Sequence, residues 1–194
     1  FDQHDNQNHV WTLSEPYGAR CWWPCKDDPS DKADSIYIAI TVPGHQIVAS
    51  NGLLHSIDTL GHGKKRYQWR ELYPIPTYLV SIAIYPYVVW YDQFVSANGD
   101  TMPIDFYVYP DNYDISRPNF LLVKDMLDVF SEKFGEYPFL REKYGHANFG
   151  WGGGMEHQTI TSIGGHSEWL IAHELGHSWW GNKITCSSFE HIWL

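Results

Sequence analysis

Trp169-Leu-Ile-Ala-His-Glu-Leu-Gly-His-Ser-Trp-Trp-Gly-Asn182 is the run from which the rest of the sequence is read. At 3.6 residues per turn, positions four apart lie about 40° from eclipsed, so a helix here projects His173 and His177 from one face. Two imidazoles so placed can grip one metal ion, and Glu174 stands beside that metal without being a ligand, able to take a proton from an activated water. Two histidines at this spacing also occur on helices where they do nothing chemical. Here Leu170, Ile171, Ala172, Leu175, Trp179 and Trp180 surround them with apolar bulk, which predicts a helix buried on all sides. Burying two histidines and a glutamate without partners would cost several kcal/mol, a cost that a zinc ion removes.

A second chemical stretch lies upstream, Gly150-Trp-Gly-Gly-Gly-Met-Glu-His-Gln-Thr159. Successive glycines let a backbone approach a ligand closely, and a strand edge there could hold an extended peptide by adding it to the sheet. On that reading Glu156 sits beside the bound chain.

The 194 residues are 43% hydrophobic and 16% aromatic, enough for one large domain or two small ones. A net charge of -10 leaves no basic stripe for phosphates, so nucleic acid is not an expected partner. The longest apolar run, Tyr78 to Tyr91, is interrupted by Ser81 and Pro86 and is too short to span a bilayer. The opening Phe1-Asp-Gln-His-Asp-Asn-Gln-Asn8 is polar and does not read as a secretory leader. Cys21, Cys25 and Cys186 match no paired-thiolate zinc spacing; they read as free thiols, with Cys21–Cys25 the bridge their spacing allows.

The first hundred residues are strand-like. Ser35–Val42, Gln46–Ala49, Arg66–Trp69, Thr77–Ile84 and Val88–Val95 are β-branched and aromatic, separated by turn signals at Asn51-Gly52, Gly61-His-Gly63 and Asn98-Gly99. Around Pro103 the pattern changes. Ile104–Tyr109 is one more strand, then Ser116 is expected to cap a helix of about five turns with Phe120, Val123, Leu127, Phe130 and Phe134 on one stripe until Gly135. Met155–Thr161 alternates like a short strand, and the metal helix starts at Glu168. The fold class is α+β, an antiparallel sandwich followed by an α/β part, with a seam at Asp100–Pro103.

Taken together, Gly153-Gly-Met-Glu-His157, a gap of 15 residues, and His173-Glu-Leu-Gly-His-Ser-Trp-Trp-Gly-Asn182 resemble the aminopeptidase N family of zinc metallopeptidases. Leu13-Ser-Glu-Pro-Tyr-Gly-Ala-Arg-Cys-Trp-Trp-Pro-Cys-Lys-Asp27 is similar to that family's amino-terminal signature, and Val48-Ala-Ser-Asn-Gly52 and Tyr78-Leu-Val80 are weaker matches. The resemblance implies that residues 1–102 are the end of a saddle-like β-sheet domain and 103–194 the start of a thermolysin-like zinc peptidase domain. It also implies His173 and His177 as Zn2+ ligands, Glu174 as general base, Glu156 with Glu15 as anchors of a peptide's free α-amine, and Gly153, Gly154, Met155 and His157 as substrate contacts. The expected partner is a peptide with a free amino terminus.

Two departures qualify the match. His157 stands where the family usually has Asn, bulkier and able to charge. The family's third ligand, a glutamate, falls nineteen residues after His177 at position 196, whereas the sequence ends at Leu194. Ser188–Leu194 reads as the lead-in to it, with Glu190 and His191 at the wrong spacing to replace it. The chain is thus expected to be an internal fragment, inactive by itself, of a parent aminopeptidase. Other readings are a non-catalytic binding or scaffolding homologue of the same fold, or a zinc endopeptidase, for which His-Glu-x-x-His would suffice.

Overall fold

A computed structural model describes residues 1–192; the last two positions of the Ser188–Leu194 lead-in lie outside the described residues. The chain opens with a hairpin, β1 (Asp2–His4) and β2 (Gln7–Trp11), turned by Asp5 and Asn6. Both sit at positive φ, a conformation short polar side chains tolerate. There follow β3 (Ile36–Pro43), β4 (Ile47–Ser50), β5 (Leu53–Leu60), β6 (Lys64–Glu71) and β7 (Ile82–Tyr85). These seven strands form two antiparallel sheets, β1-β2-β7-β4 and β3-β6-β5. Val48, Ala49, Ala83 and Tyr85 from the first pack with Val42, Tyr67 and Trp69 from the second. The expected strand Thr77–Ile84 is shorter than its composition suggested. Pro76 starts a 3-10 turn over Thr77–Leu79, closed by the Leu79 N–H on the Pro76 carbonyl, and the strand begins only at Ile82.

The second half holds a mixed five-stranded sheet. Its strands are β8 (Val88–Val95), β9 (Thr101–Val108), β10 (Tyr144–Asn148), β11 (Gly154–Met155) and β12 (Thr161–Ile163), in the order β11-β12-β10-β9-β8. β10 runs parallel to both its neighbours and is buried throughout. Gly145 within it is dictated by space, since any Cβ would collide with the Asp105 carbonyl on β9. The expected seam, Asp100–Pro103, falls at the end of the β8–β9 turn and in the first residues of β9, inside this one sheet.

The long helix expected from Ser116 is two helices, α1 (Tyr113–Phe120) and α2 (Val123–Phe134). Pro118 cannot donate within α1, and the chain turns at Leu121–Leu122 before resuming. Ser116 is no cap: it is buried mid-helix with Oγ 2.9 Å from His166 Nδ1. Phe120, Val123 and Leu127 nevertheless join the core of the sheet with Phe106, Ile171 and Leu175. α3 (Glu168–Gly176) starts as expected, with Ser167 accepting the Leu170 N–H as its cap. All three cysteines are free, so Cys21 and Cys25 are not bridged.

Candidate active site

α3 is buried on one face only. Ile171, Glu174 and Leu175 turn inward, whereas His173 is exposed, Trp169 is 73% exposed and Trp180 40%. The expectation of a helix enclosed on all sides is corrected: the nine-residue helix lays one stripe on the sheet and leaves its imidazole face open to a cleft. His173 stacks on Trp169, ring centroids 5.3 Å apart, which holds it upright on that open face.

The two imidazoles meet. Nε2 of His173 lies 3.1 Å from Nε2 of His177. His177 donates its Nδ1–H to the Trp180 carbonyl at 3.0 Å, which leaves its Nε2 lone pair directed at the shared point. Glu174 lies against Gly154, where a Cβ would overlap its carboxylate, so the third glycine of the loop is required by the acid it faces. Its Oε2 is buried with no protein partner.

The upstream segments close on the same place. A cleft of about 400 Å³ is lined by Glu15, Gly154, Met155, Glu156, His173, Glu174 and His177, with Leu13, Trp151 and Ile192 at its walls. Glu15 arrives on a turn fixed by the Ser14 carbonyl, which accepts the Gly18 N–H, and by Ser14 Oγ, which accepts from Trp22 Nε1. Glu156 follows β11, the two-residue edge strand of the five-stranded sheet. Burial, then the nearby carboxylates of Glu156 and Glu15, push the Glu174 carboxyl up to about 8. Burial and Glu156 likewise raise Glu15, opposed by His177, while burial and His177 lower His173. Three carboxyl groups and two imidazoles thus face one space.

Of the sequence-predicted substrate contacts, His157 does not reach the cleft. It is 1% exposed, its Nδ1 2.8 Å from Ser162 Oγ, and burial lowers it to about 3, so it stays neutral rather than charging. Gly153 lies under the Trp151 ring and its carbonyl accepts the Gly164 N–H. Glu190 and His191 are exposed on a 3-10 turn. Among the described residues no group of three or more His, Cys, Asp or Glu is arranged to hold a metal ion.

Sequence reading missed the supports of Glu156. Asn51 donates Nδ2–H to the Leu79 and Gln158 carbonyls at 2.9 and 2.6 Å, and the Gly52 N–H donates to Thr159 Oγ1 at 2.7 Å. Thr159 is held at φ 64°, rare for a β-branched residue and strained by about 1–3 kcal/mol. The weak Val48–Gly52 match was the one signal of this brace. On the other side Asn182 donates Nδ2–H to the Glu156 carbonyl at 2.8 Å.

An inward glutamate and an imidazole pair on one helix thus sit against a glycine-rich edge strand. Residues 1–79 match the Peptidase M1 N-terminal domain. The chain is 34% identical over 202 residues to leucine aminopeptidase 2 of Pyricularia oryzae, covering 95% of this chain and 30% of that protein. It is 28% identical over 204 residues to human glutamyl aminopeptidase, covering 95% and 21%. A mutant M1 zinc metallopeptidase from Deinococcus radiodurans, solved with a Tyr-Ser-Ala substrate, superposes with a TM-score of 0.78 at 26% identity, covering 93% of this chain and 41% of that one. Across nearly its whole length the chain is thus similar to aminopeptidase N (M1) family proteins, among them solved zinc metallopeptidases. It spans about a fifth to a third of the length of those curated relatives.

Proposed function

We propose that this chain carries the amine-recognition and metal-gripping parts of a zinc-dependent aminopeptidase, which removes one residue at a time from a peptide's free amino terminus. The observation that carries this reading is the convergence of Glu15, Glu156 and Glu174, from three separate segments, on one cleft beside His173 and His177. Carboxylates at Glu15 and Glu156 pair with an ammonium, which the backbone of a peptide offers at its amino terminus; an internal amide there would leave both charges unmatched. The aminopeptidase relatives and the peptide bound to the D. radiodurans enzyme support the same reading.

His173 and His177 would hold the zinc, which when bound supplies Lewis-acid polarisation of a carbonyl and of water. Glu174, its Oε2 free of protein partners, takes a proton at that oxygen and later returns it to the departing amine. Glu156 and Glu15 hold the ammonium, and the backbone of Gly154, on the edge strand β11, takes the extended peptide. His157 serves from behind, bracing the loop through Ser162. Residues 1–102 then supply the end of a β domain and 103–194 the start of the peptidase domain, with β8 of the first part paired to β9 of the second.

The test is hydrolysis of a peptide with a free amino terminus against the same peptide acetylated, using the full-length gene product. The free peptide should be cleaved and the acetylated one rejected, and Glu174→Gln should lower kcat by about 10²–10⁴ with metal retained. Equal cleavage of both peptides would make it an endopeptidase. No cleavage by a metal-loaded protein would make it a binding homologue.

A further inference from the structure

Asn182 is 2% exposed and lies five residues beyond His177, outside the imidazole pair and the carboxylates. Its backbone N–H donates to the His177 carbonyl at 3.0 Å. Its side-chain Nδ2 donates to the Glu156 carbonyl at 2.8 Å. Its own carbonyl accepts from Lys32 Nζ at 2.9 Å and from Thr185 Oγ1 at 2.8 Å. Lys32 belongs to the same irregular segment, between β2 and β3, that carries Glu15. One buried residue therefore touches the backbone of the second imidazole, the backbone of one amine anchor and the segment of the other. Its Oδ1 has no partner, so the donating end of the amide is the end in use.

We infer that Asn182 is a positioning residue that sets the separation between the amine anchor Glu156 and the metal end of the cleft, and so fixes the register of one residue per cut. This rests on the aminopeptidase reading above. An exopeptidase needs the ammonium and the scissile carbonyl to engage at once, and a slip of about 1 Å between their sites is enough to lower the yield of productive complexes. The Glu156 loop is braced from the β domain by Asn51 and Gly52, but among the described hydrogen bonds only Asn182 ties Glu156 itself to the chain end that follows α3.

The test compares two inhibitors of the full-length protein: leucine hydroxamate, which carries an α-amine, and its des-amino counterpart, which binds by the metal-chelating group alone. The ratio of their Ki values measures how well the two ends of the cleft are registered. In Asn182→Asp, which is isosteric but places an acceptor against the Glu156 carbonyl, and in Asn182→Ala, the ratio should fall about tenfold or more. Des-amino affinity and zinc content should stay as in the wild type. Thr185→Val, which removes a neighbouring bond to the Asn182 carbonyl and none to Glu156, should leave the ratio unchanged. An unchanged ratio in both Asn182 variants, an equal fall in Thr185→Val, or equal weakening of both inhibitors with zinc loss would overturn the inference. A wild-type protein that binds zinc and shows no preference for the amine would overturn the aminopeptidase reading instead.

Discussion

Lys143 is fully buried, yet it carries an ammonium. Its Nζ donates to the Ser50 carbonyl at 2.7 Å and to the Gly52 carbonyl, and it lies 4.6 Å from the centre of the Trp69 ring. Burial lowers its ammonium to about 8, opposed first by Asp105 and then by Glu71 and Glu142. The group spans the two halves of the chain and holds the Asn51-Gly52 turn that braces the Glu156 loop. Lys143→Met keeps the length of the side chain and removes the charge, leaving Asp105 without its countercharge and two carbonyls without a donor. Removing one partner of a buried charge cluster costs about 3–5 kcal/mol. At about 2–4 °C per kcal/mol for a chain of this size, the melting temperature should fall by about 6–20 °C. The surface pair Lys124–Asp92, 3.1 Å apart with side chains 45% and 25% exposed, is the control. Lys124→Met should shift the midpoint by about 3 °C or less. Calorimetric melting of both variants decides the matter, and a Lys143→Met shift no larger than the control's would refute the reasoning.

Further outcomes follow from other buried groups. Burial and a shared hydrogen bond with Glu142 raise Glu71 to about 9, so its favourable contribution is complete below about pH 4.5 and is lost as pH rises toward 9; urea midpoints at pH 6 and 8.5 should fall by up to about 1.4 kcal/mol per pH unit, and Glu71→Gln should flatten that slope. Burial lowers His146 to about 3 and His9 to about 4, so their unfolded forms bind protons first and stability should be lost as pH drops below about 6.5. His146→Phe should make acid unfolding shallower, and an unchanged acid limb would count against a neutral His146. His157→Asn should destabilise by about 1–3 kcal/mol while leaving the preference for a free amine intact; a lost preference would mean that the side chain reaches substrate after all.

Much of the site was legible because its residues obey local rules. The i, i+4 spacing of His173 and His177, the glutamate between them and the Ser167 start of α3 need only helix geometry, and β3, β4 and β8 carry β-branched runs that no neighbour overrides. β10 was hidden because Gly145, His146 and Asn148 lack strand propensity and are chosen by a central, doubly flanked position. β5 was hidden because it lies at a sheet edge, mostly exposed, with a bulge between Leu54 and Ser56. Pro118 gave a local reason to divide the 113–134 helix, but the apolar stripe through Phe120 and Leu127 continues across the break because both helices cover the same core. The inward turn of His157 and the braces from Asn51 and Asn182 link residues up to 107 positions apart, which no spacing rule along one segment can reveal.

The central claim is that His173 and His177 grip a zinc ion in a cleft whose acids serve it and a peptide's amine. Elemental analysis of the full-length protein by plasma mass spectrometry tests it most directly. The account predicts about one zinc per chain, lost in His177→Ala and kept in Glu174→Gln. A wild-type protein free of transition metal, or zinc content indifferent to His177→Ala, would contradict it.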